Sequence, residues 1–267
     1  MNITQRLRGS HQWIQRQLND TFVKRAQEEN YRNRAAFKLI QMDDKFSFLR
    51  KNKTVLDLGC FSGGWSQVAL QRCSEGKVLG IDKVRIEPLP EPHMFLQGDI
   101  TDPDMHNKVL DLLGGSRVDI VLSDMSPSTI GVSIDDHLAM TDLNLKACEL
   151  MERVIAMRGW FVLKTFTGPE TPKLKMYLNS RFEKVIGHKP EASRRESPEV
   201  FLICNRFKGR EKISSEVAGN YRYKHEGEDR TPQDGYNRRE PQSVKGQEEQ
   251  NVIFEDREKN GKPRKSS

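Results

Sequence analysis

Lysine is almost never buried without a partner, yet Lys164 lies inside the apolar run GWFVLKTF, residues 159–166. An ammonium at the mouth of a cleft, short of water and near a second cation, gives up its proton more readily. It can then serve as a general base. The alternative is an edge strand whose lysine reaches out to solvent. Lys38, in YRNRAAFKLIQ, is the candidate second cation. On a helix it shares a face with Arg34 and Lys45, opposite Ile40, and by itself it reads as part of a solvated face. Asp124 closes the run VDIVLSD, and Glu199 opens EVFLICN after the basic loop KPEASRRESP.

A second group of residues surrounds the stretch VLDLGCFSGGWSQ, residues 55–67, where an apolar run stops at Asp57 and a glycine turn follows. The dinucleotide fingerprint requires a middle glycine so that backbone can approach a pyrophosphate. Gly59 and Gly64 hold the outer places here, but Phe61 takes the middle one. The phosphate loop requires Lys after its last glycine, and Trp65 stands there instead. S-adenosyl-L-methionine carries no phosphate and a positive sulfonium, so it wants close backbone approach and carboxylates. Asp57 supplies one at the end of the first strand. Asp82 follows about 20 residues past the turn, where an acid accepts from ribose hydroxyls. Asp99 ends the third run, placed to accept from an adenine amino group. The competing view, that these acids only cap helices and solvate turns, suits one acid better than a series.

These residues need a frame that collects them. TVLDLG (54–59), KVLGID (77–82), HMFLQGD (93–99), VDIVLSD (118–124), GWFVLKTF (159–166), FEKVIGH (182–188) and EVFLICN (199–205) read as strands. Helical patterns fall near 31–46, 64–73, 104–113, 137–157 and 171–180. Alternating strands and helices predict an α/β fold, a mostly parallel sheet with helices on both faces. Ligands in such sheets bind beyond the carboxyl ends of the strands. If the last strand turns back antiparallel after 182–188, Glu199 reaches the same edge as Asp124 and Lys164.

Hydrophobic residues are 35% of the 267-residue chain and charged ones 31%, an uneven mixture that points to parts without a core. From Lys208 onward 26 of 60 residues are charged, with both signs mixed. Residues 208–267 are therefore expected to be a disordered tail. The net charge of +6 and a pI near 9.1 lean towards an anionic partner. Cys60, Cys73, Cys148 and Cys204 are scattered without a Cys-x-x-Cys pair, which argues against a structural zinc or a disulfide scaffold. No apolar run approaches the roughly 20 residues of a membrane span, so no membrane partner is expected. The first 19 residues contain no acid. Ile3, Leu7, Ile14 and Leu18 fall on one helical face there, with Arg6, Arg8 and Arg16 off it. A mitochondrial presequence has this character, and so does the first helix of a domain.

At these residues the chain resembles the FtsJ/RrmJ ribose methyltransferases. YRNRAAFKL, DLGCFSGGWSQVA, SDMSPSTIG, FVLKTF and SPEVFLIC carry the resemblance, in order, across most of residues 10–207. It implies a Rossmann-like class I methyltransferase fold of seven strands, one of them antiparallel. It implies a catalytic set Lys38, Asp124, Lys164 and Glu199 that methylates a ribose 2′-hydroxyl in RNA, and of these Lys164 is expected to take the hydroxyl's proton. It also implies an S-adenosyl-L-methionine site on Asp57, Gly59, Gly63, Gly64, Trp65, Asp82, Asp99 and Asp124, and no metal. SHQWIQRQLNDTFVKRAQEENYR and KPEASRRES look most like the mitochondrial branch, which modifies a uridine of large-subunit ribosomal RNA. Cys60-Phe61-Ser62 departs from the usual Ala-Ala-Pro, and Ser126-Pro127-Ser128 from Ala-Pro-Asn.

The expected organisation is a basic helical extension over 1–29, a methyltransferase domain over 30–207 and the tail. Arg25, Arg32, Arg34, Arg194 and Arg195 are expected to contact RNA phosphates. The expected state is a monomer acting on ribosomal RNA, free or within a ribosomal particle. Two rival readings are the same reaction on a tRNA anticodon loop or an mRNA cap, and a ribosome-assembly factor that binds cofactor and RNA without turnover.

Overall fold

A computed structural model of the protein describes residues 19–127 and 133–209, with the side chain of Ser133 excepted. The first 18 residues of the expected extension, the loop 128–132 and all but two residues of the expected tail lie outside the described residues. Among the described residues thirteen elements follow one another. They are α1 (Thr21–Glu28), α2 (Ala36–Phe46), β1 (Thr54–Leu58), α3 (Gly64–Arg72), β2 (Lys77–Asp82), β3 (His93–Gln97), α4 (Pro103–Leu113), β4 (Val118–Ser123), α5 (Ser133–Val154), β5 (Ile155–Phe166), α6 (Thr171–Arg181), β6 (Phe182–His188) and β7 (Glu199–Phe207).

One seven-stranded sheet runs in the order β3-β2-β1-β4-β5-β7-β6. The first five of these strands are mutually parallel, and β7 is antiparallel to both β5 and β6. The mostly parallel sheet with one antiparallel strand is as expected. Parallel strands buried on both faces read as continuous apolar runs, and alternation sorts them. Val55, Val78, Ile120, Leu122, Val162, Phe201 and Ile203 face α2 and α3. Leu56, Leu79, Val121, Phe161, Leu163 and Leu202 face α4, α5 and α6. α1 rests on α2 through Ala26 and Phe37, joined by Ala192.

Local signals set most boundaries. Asp20 caps α1 by accepting the Phe22 N–H at 3.0 Å. Asp102 caps α4 in the same way at 3.0 Å, Pro103 opens the helix, and Gly114 ends it in the left-handed region.

Two boundaries differ from the periodicity. The helix expected over 31–46 begins only at Ala36, because residues 31–35 are tied to the glycine turn rather than to each other. The helix expected over 137–157 starts earlier, at Ser133, and stops at Val154. Ile155 already pairs with Val118, and a register shift follows before Ile120 meets Trp160.

The sheet rim is narrow at the turn after β1. Gly59 has φ +73°, and a Cβ on it would lie 2.5 Å from Met125 Cγ and 3.1 Å from Met125 Cα, beside Asp124. Gly59→Ala should therefore destabilise the fold by about 1–3 kcal/mol through backbone strain and collision. Urea unfolding of the variant checks this, and a midpoint equal to wild type contradicts it.

Candidate active site

Strand alternation decides which charges meet. Lys164 follows Leu163, which faces α5, so Lys164 points to the α2 side, where its partner in register is Phe201. Glu199 pairs in register with Phe166 at the start of antiparallel β7, which brings it to the carboxyl edge of β5. Asp124 immediately follows β4 at the same edge. From above, α2 lowers Lys38 onto the Phe201 ring, with Nζ 5.6 Å from its centroid.

The four groups form an alternating chain of charge. Glu199 Oε1 lies 2.8 Å from Lys38 Nζ. Lys38 Nζ is 3.9 Å from Asp124 Oδ1, and that oxygen is 3.0 Å from Lys164 Nζ. Lys164 also donates to the backbone carbonyl of Asp124 at 2.7 Å. Residue exposure is only 8% for Lys38, 6% for Lys164 and 9% for Glu199. Lys38 is thus no part of a solvated face, and Lys164 lies on an inner strand rather than an edge. Burial pushes the Glu199 carboxyl up. The charge and hydrogen bond of Lys38, then Ser193 and the charge of Lys164, outweigh it and hold Glu199 below the usual glutamate range.

The glycine turn lies beside this chain. Gly63, with φ +96°, caps α3, and a Cβ there would lie 2.6 Å from the Arg32 guanidinium. Arg32 donates to three backbone carbonyls, Ser62 at 3.2 Å, Glu87 at 2.6 Å and Pro88 at 2.6 Å. Asn33 packs on Gly64 and bonds the Ser62 hydroxyl at 3.2 Å. The Trp65 indole N–H donates to the Ala35 carbonyl at 2.8 Å, and its ring lies against Phe201 in the core. Any contact of Trp65 with a cofactor is therefore left to its backbone. This stapling of residues 32–35 to the turn was not foreseen from sequence. Its partners are 29 to 56 residues apart, and no local periodicity reports such pairs.

The acids at the strand ends are engaged in different ways. Asp82 accepts the backbone N–H groups of Phe61 at 3.0 Å and Val84 at 2.8 Å, which leaves lone pairs for a ribose. Asp99 lies beyond the end of β3. It accepts from Thr101 N at 2.9 Å and pairs with Lys83 at 2.8 Å, the turn-stabilising role that the sequence left as an alternative. Asp57 is fully buried, takes the Ser66 hydroxyl at 2.7 Å, and its Oδ1 has no partner among the described residues. An orphaned carboxylate oxygen, two glycines with left-handed backbone and acids without a phosphate-binding lysine suit a cationic nucleoside cofactor better than a nucleotide phosphate.

Most of the arginines expected on RNA phosphates have partners within the protein. Arg32 is consumed by the loop carbonyls. Arg34 pairs with Asp20 at 2.9 Å and donates to the Ala192 carbonyl at 2.7 Å. Arg25 pairs with Glu29 and stacks 4.4 Å above the Phe37 ring, and Arg194 lies 3.8 Å from Asp20. Arg195 remains exposed on the loop before Glu199.

A doubly faced sheet of this order, with a glycine turn after β1 and acids at successive strand ends, defines a class of nucleoside-cofactor methyltransferases. Residues 31–207 match the FtsJ-like methyltransferase family, and the chain belongs to it. It is 42% identical to the ribosomal RNA large subunit methyltransferase E of Caulobacter sp. (strain K31) over 198 residues, 74% of this chain and 86% of that one. It is 39% identical to the protein of that name from Methanothermobacter thermautotrophicus, over 75% of this chain and 95% of that one. Among solved structures it is similar to a ribosomal RNA methyltransferase from Plasmodium falciparum, at 39% identity and TM-score 0.62, over 67% of this chain and all of that one.

Asp57 offers a test of the site by pH. Burial, with smaller contributions from the charges of Asp124 and Asp82, outweighs the Ser66 hydrogen bond and raises its pKa from 3.8 to about 7. The folded protein keeps a proton that the unfolded chain loses near pH 4, so this group's contribution to stability declines as pH rises from about 4 to 7. Asp57→Asn should remove that decline. Thermal melts from pH 5 to 8 should show the variant gaining on wild type as pH rises, whereas a constant difference contradicts the assignment.

Proposed function

We propose that the protein methylates a ribose 2′-hydroxyl in large-subunit ribosomal RNA, with S-adenosyl-L-methionine as donor. The observation that carries this reading is the buried alternation Glu199, Lys38, Asp124, Lys164 beside the glycine turn. The names of the 42%- and 39%-identical relatives support the choice of RNA. When bound, the cofactor supplies a methyl group on a positive sulfonium. Asp57, Asp82, the backbone of Gly59, Gly63 and Gly64, and the edge of Asp124 are the groups that would hold it.

The protein's own residues handle the proton and the approach. A ribose hydroxyl is a weak acid and must lose its proton as the oxygen attacks carbon. Lys164 is the group placed to accept it. Its Nζ is fixed between the Asp124 carboxylate and carbonyl, so its free lone pair has one direction to point. Asp124 also takes up the charge that develops when Lys164 becomes an ammonium. Lys38, held by Glu199, keeps a positive charge beside the attacking oxygen, where it steadies the developing alkoxide. Much of the rate should come from holding the oxygen in line with the methyl carbon.

Lys164→Ala should lower methyl transfer to ribosomal RNA by about 10²–10⁴-fold, the range typical of a lost general base. Cofactor affinity, measured by titration calorimetry, should stay near that of wild type. Wild-type turnover in this variant would remove Lys164 from the mechanism. Incorporation of labelled methyl into large-subunit RNA, tRNA and capped mRNA separates the substrate classes.

Mitochondrial residence belongs to the same proposal. Its support is the sequence of residues 1–19, which has no acid and spaces Ile3, Leu7, Ile14 and Leu18 at a helical period. The full chain carrying a C-terminal fluorescent protein should co-localise with mitochondria and lose that location when residues 1–19 are deleted. A diffuse signal from the full chain refutes it.

A further inference from the structure

The turn after β5 is held from the face opposite the charged chain. His137, in the second turn of α5, is only 6% exposed. Its Nε2 accepts the backbone N–H of Glu170 at 3.0 Å. An accepting nitrogen carries no proton, so the neutral ring places its hydrogen on Nδ1. That nitrogen is buried and has no partner among the described residues. The ring lies so close to Gly168 that a Cβ there would sit 2.6 Å from both Cε1 and Nδ1. Glycine at 168 is what makes room for the imidazole.

The same turn is wired to two members of the active site. Thr171 Oγ1 donates to the Phe166 carbonyl at 2.9 Å and accepts the Gly168 N–H at 3.0 Å. Thr167 N–H donates to the Pro198 carbonyl at 2.9 Å. Phe166 lies two residues beyond Lys164, and Pro198 directly precedes Glu199. α5 itself is the element that follows Asp124. His137 thus joins the chain downstream of Asp124 to the turn that sets Lys164 and Glu199.

Packing does not explain the residue types. The stripe of α5 against the sheet is apolar along Ala147, Cys148 and Met151, as a buried stripe should be. Towards the strand ends it carries the polar residues His137, Thr141 and Asn144, all buried, beside the buried Met140. Ser123 and Thr165, buried beside Asp124 and Lys164, are polar as well. Buried polar groups carry a desolvation cost that an apolar side chain would avoid. Here they lie behind the two residues whose placement the chemistry needs.

We propose that His137 is a positioning residue for methyl transfer. By accepting the Glu170 N–H it fixes the turn after β5, and with it Lys164 and Glu199 relative to Asp124. This rests on the reading of Lys164 as the base. His137→Phe keeps a ring of similar size and removes the acceptor. His137→Gln carries an amide oxygen that can take the same N–H, and Gly168→Ala displaces the ring while leaving His137 in place.

His137→Phe and Gly168→Ala should each lower kcat about 10- to 100-fold, the scale of a displacement near 1 Å, with KM for cofactor and RNA unchanged. His137→Gln should keep most of the wild-type kcat. Amide hydrogen exchange over 167–171 should rise in the first two variants and stay at the wild-type level in the third. Equal activity of His137→Phe and His137→Gln overturns the proposal. So does a loss that appears in KM alone, or one that only follows the folded fraction. If His137→Phe does not fold, Gly168→Ala against His137→Gln gives the same comparison. A wild-type protein inactive on every RNA would refute the functional reading. The exchange experiment still decides the turn in that case, and unchanged exchange in Gly168→Ala overturns the proposal.

Discussion

Two ammonium groups cannot share a water-poor rim unless carboxylates stand between them. That constraint organises the carboxyl edge of the sheet, where Lys38 and Lys164 are both less than a tenth exposed. Taking a charge out of water costs several kcal/mol per ion even after relaxation, and only close opposite charges offset it. The order Glu199, Lys38, Asp124, Lys164 meets that condition with contacts of 2.8, 3.9 and 3.0 Å. Removing Asp124 would leave Lys164 without a carboxylate, and removing Glu199 would leave Lys38 only the 3.9 Å contact with Asp124, so the four residues stand as a unit rather than as a sum of pairs.

That unit explains the fold's one departure from a parallel sheet. In a parallel sheet the first residue of a strand lies at the amino edge, far from the ligand cleft. Reversing β7 puts the first residue, Glu199, at the carboxyl edge, opposite Phe166. Lys38 comes from a different layer, and its placement depends on the non-helical segment that precedes α2. There Arg32, Asn33 and Ala35 grip the glycine turn, through the guanidinium, the side-chain amide and the backbone carbonyl. The cofactor turn and Lys38 are therefore parts of one rigid connection. The segment that grips Gly63 and Gly64 is thus the same one that leads into the helix carrying Lys38.

The strands and the edge of the sheet were legible in the sequence because apolar runs and their terminal acids report local pattern. All seven strands appear where their runs predicted, with ends shifted by a few residues. The meeting of Lys38, Asp124, Lys164 and Glu199 could be anticipated from topology once β7 was taken as antiparallel. What sequence could not reveal was how each charge is spent. Arg32 and Arg34 look like phosphate contacts when read as a basic helix face, yet their partners are carbonyls and Asp20, contributed from distant parts of the chain. Asp99 reads as an acid at a strand end, and the sequence does not show that Lys83 is its partner. His137 carried no signal, since a lone histidine in an amphipathic helix has no pattern that separates a hydrogen-bond acceptor from a filler.

The two faces of the sheet divide the work at its edge. The α2 side presents charge, through Lys38, Asp124, Lys164 and Glu199. The α5 side presents neutral polar groups, Ser123, Thr165, His137, Thr141 and Asn144, immediately behind the charged residues. The division follows from the pleat. Side chains alternate, so every residue that projects Lys164 or Asp124 into the cleft is flanked by one that points the other way. A charged residue on that second side would need its own partners and would compete for the first set. An apolar residue in place of His137 would leave the Glu170 N–H of the turn after β5 without its acceptor. His137 takes up that N–H as a neutral acceptor beside a site whose balance is already set by four ions.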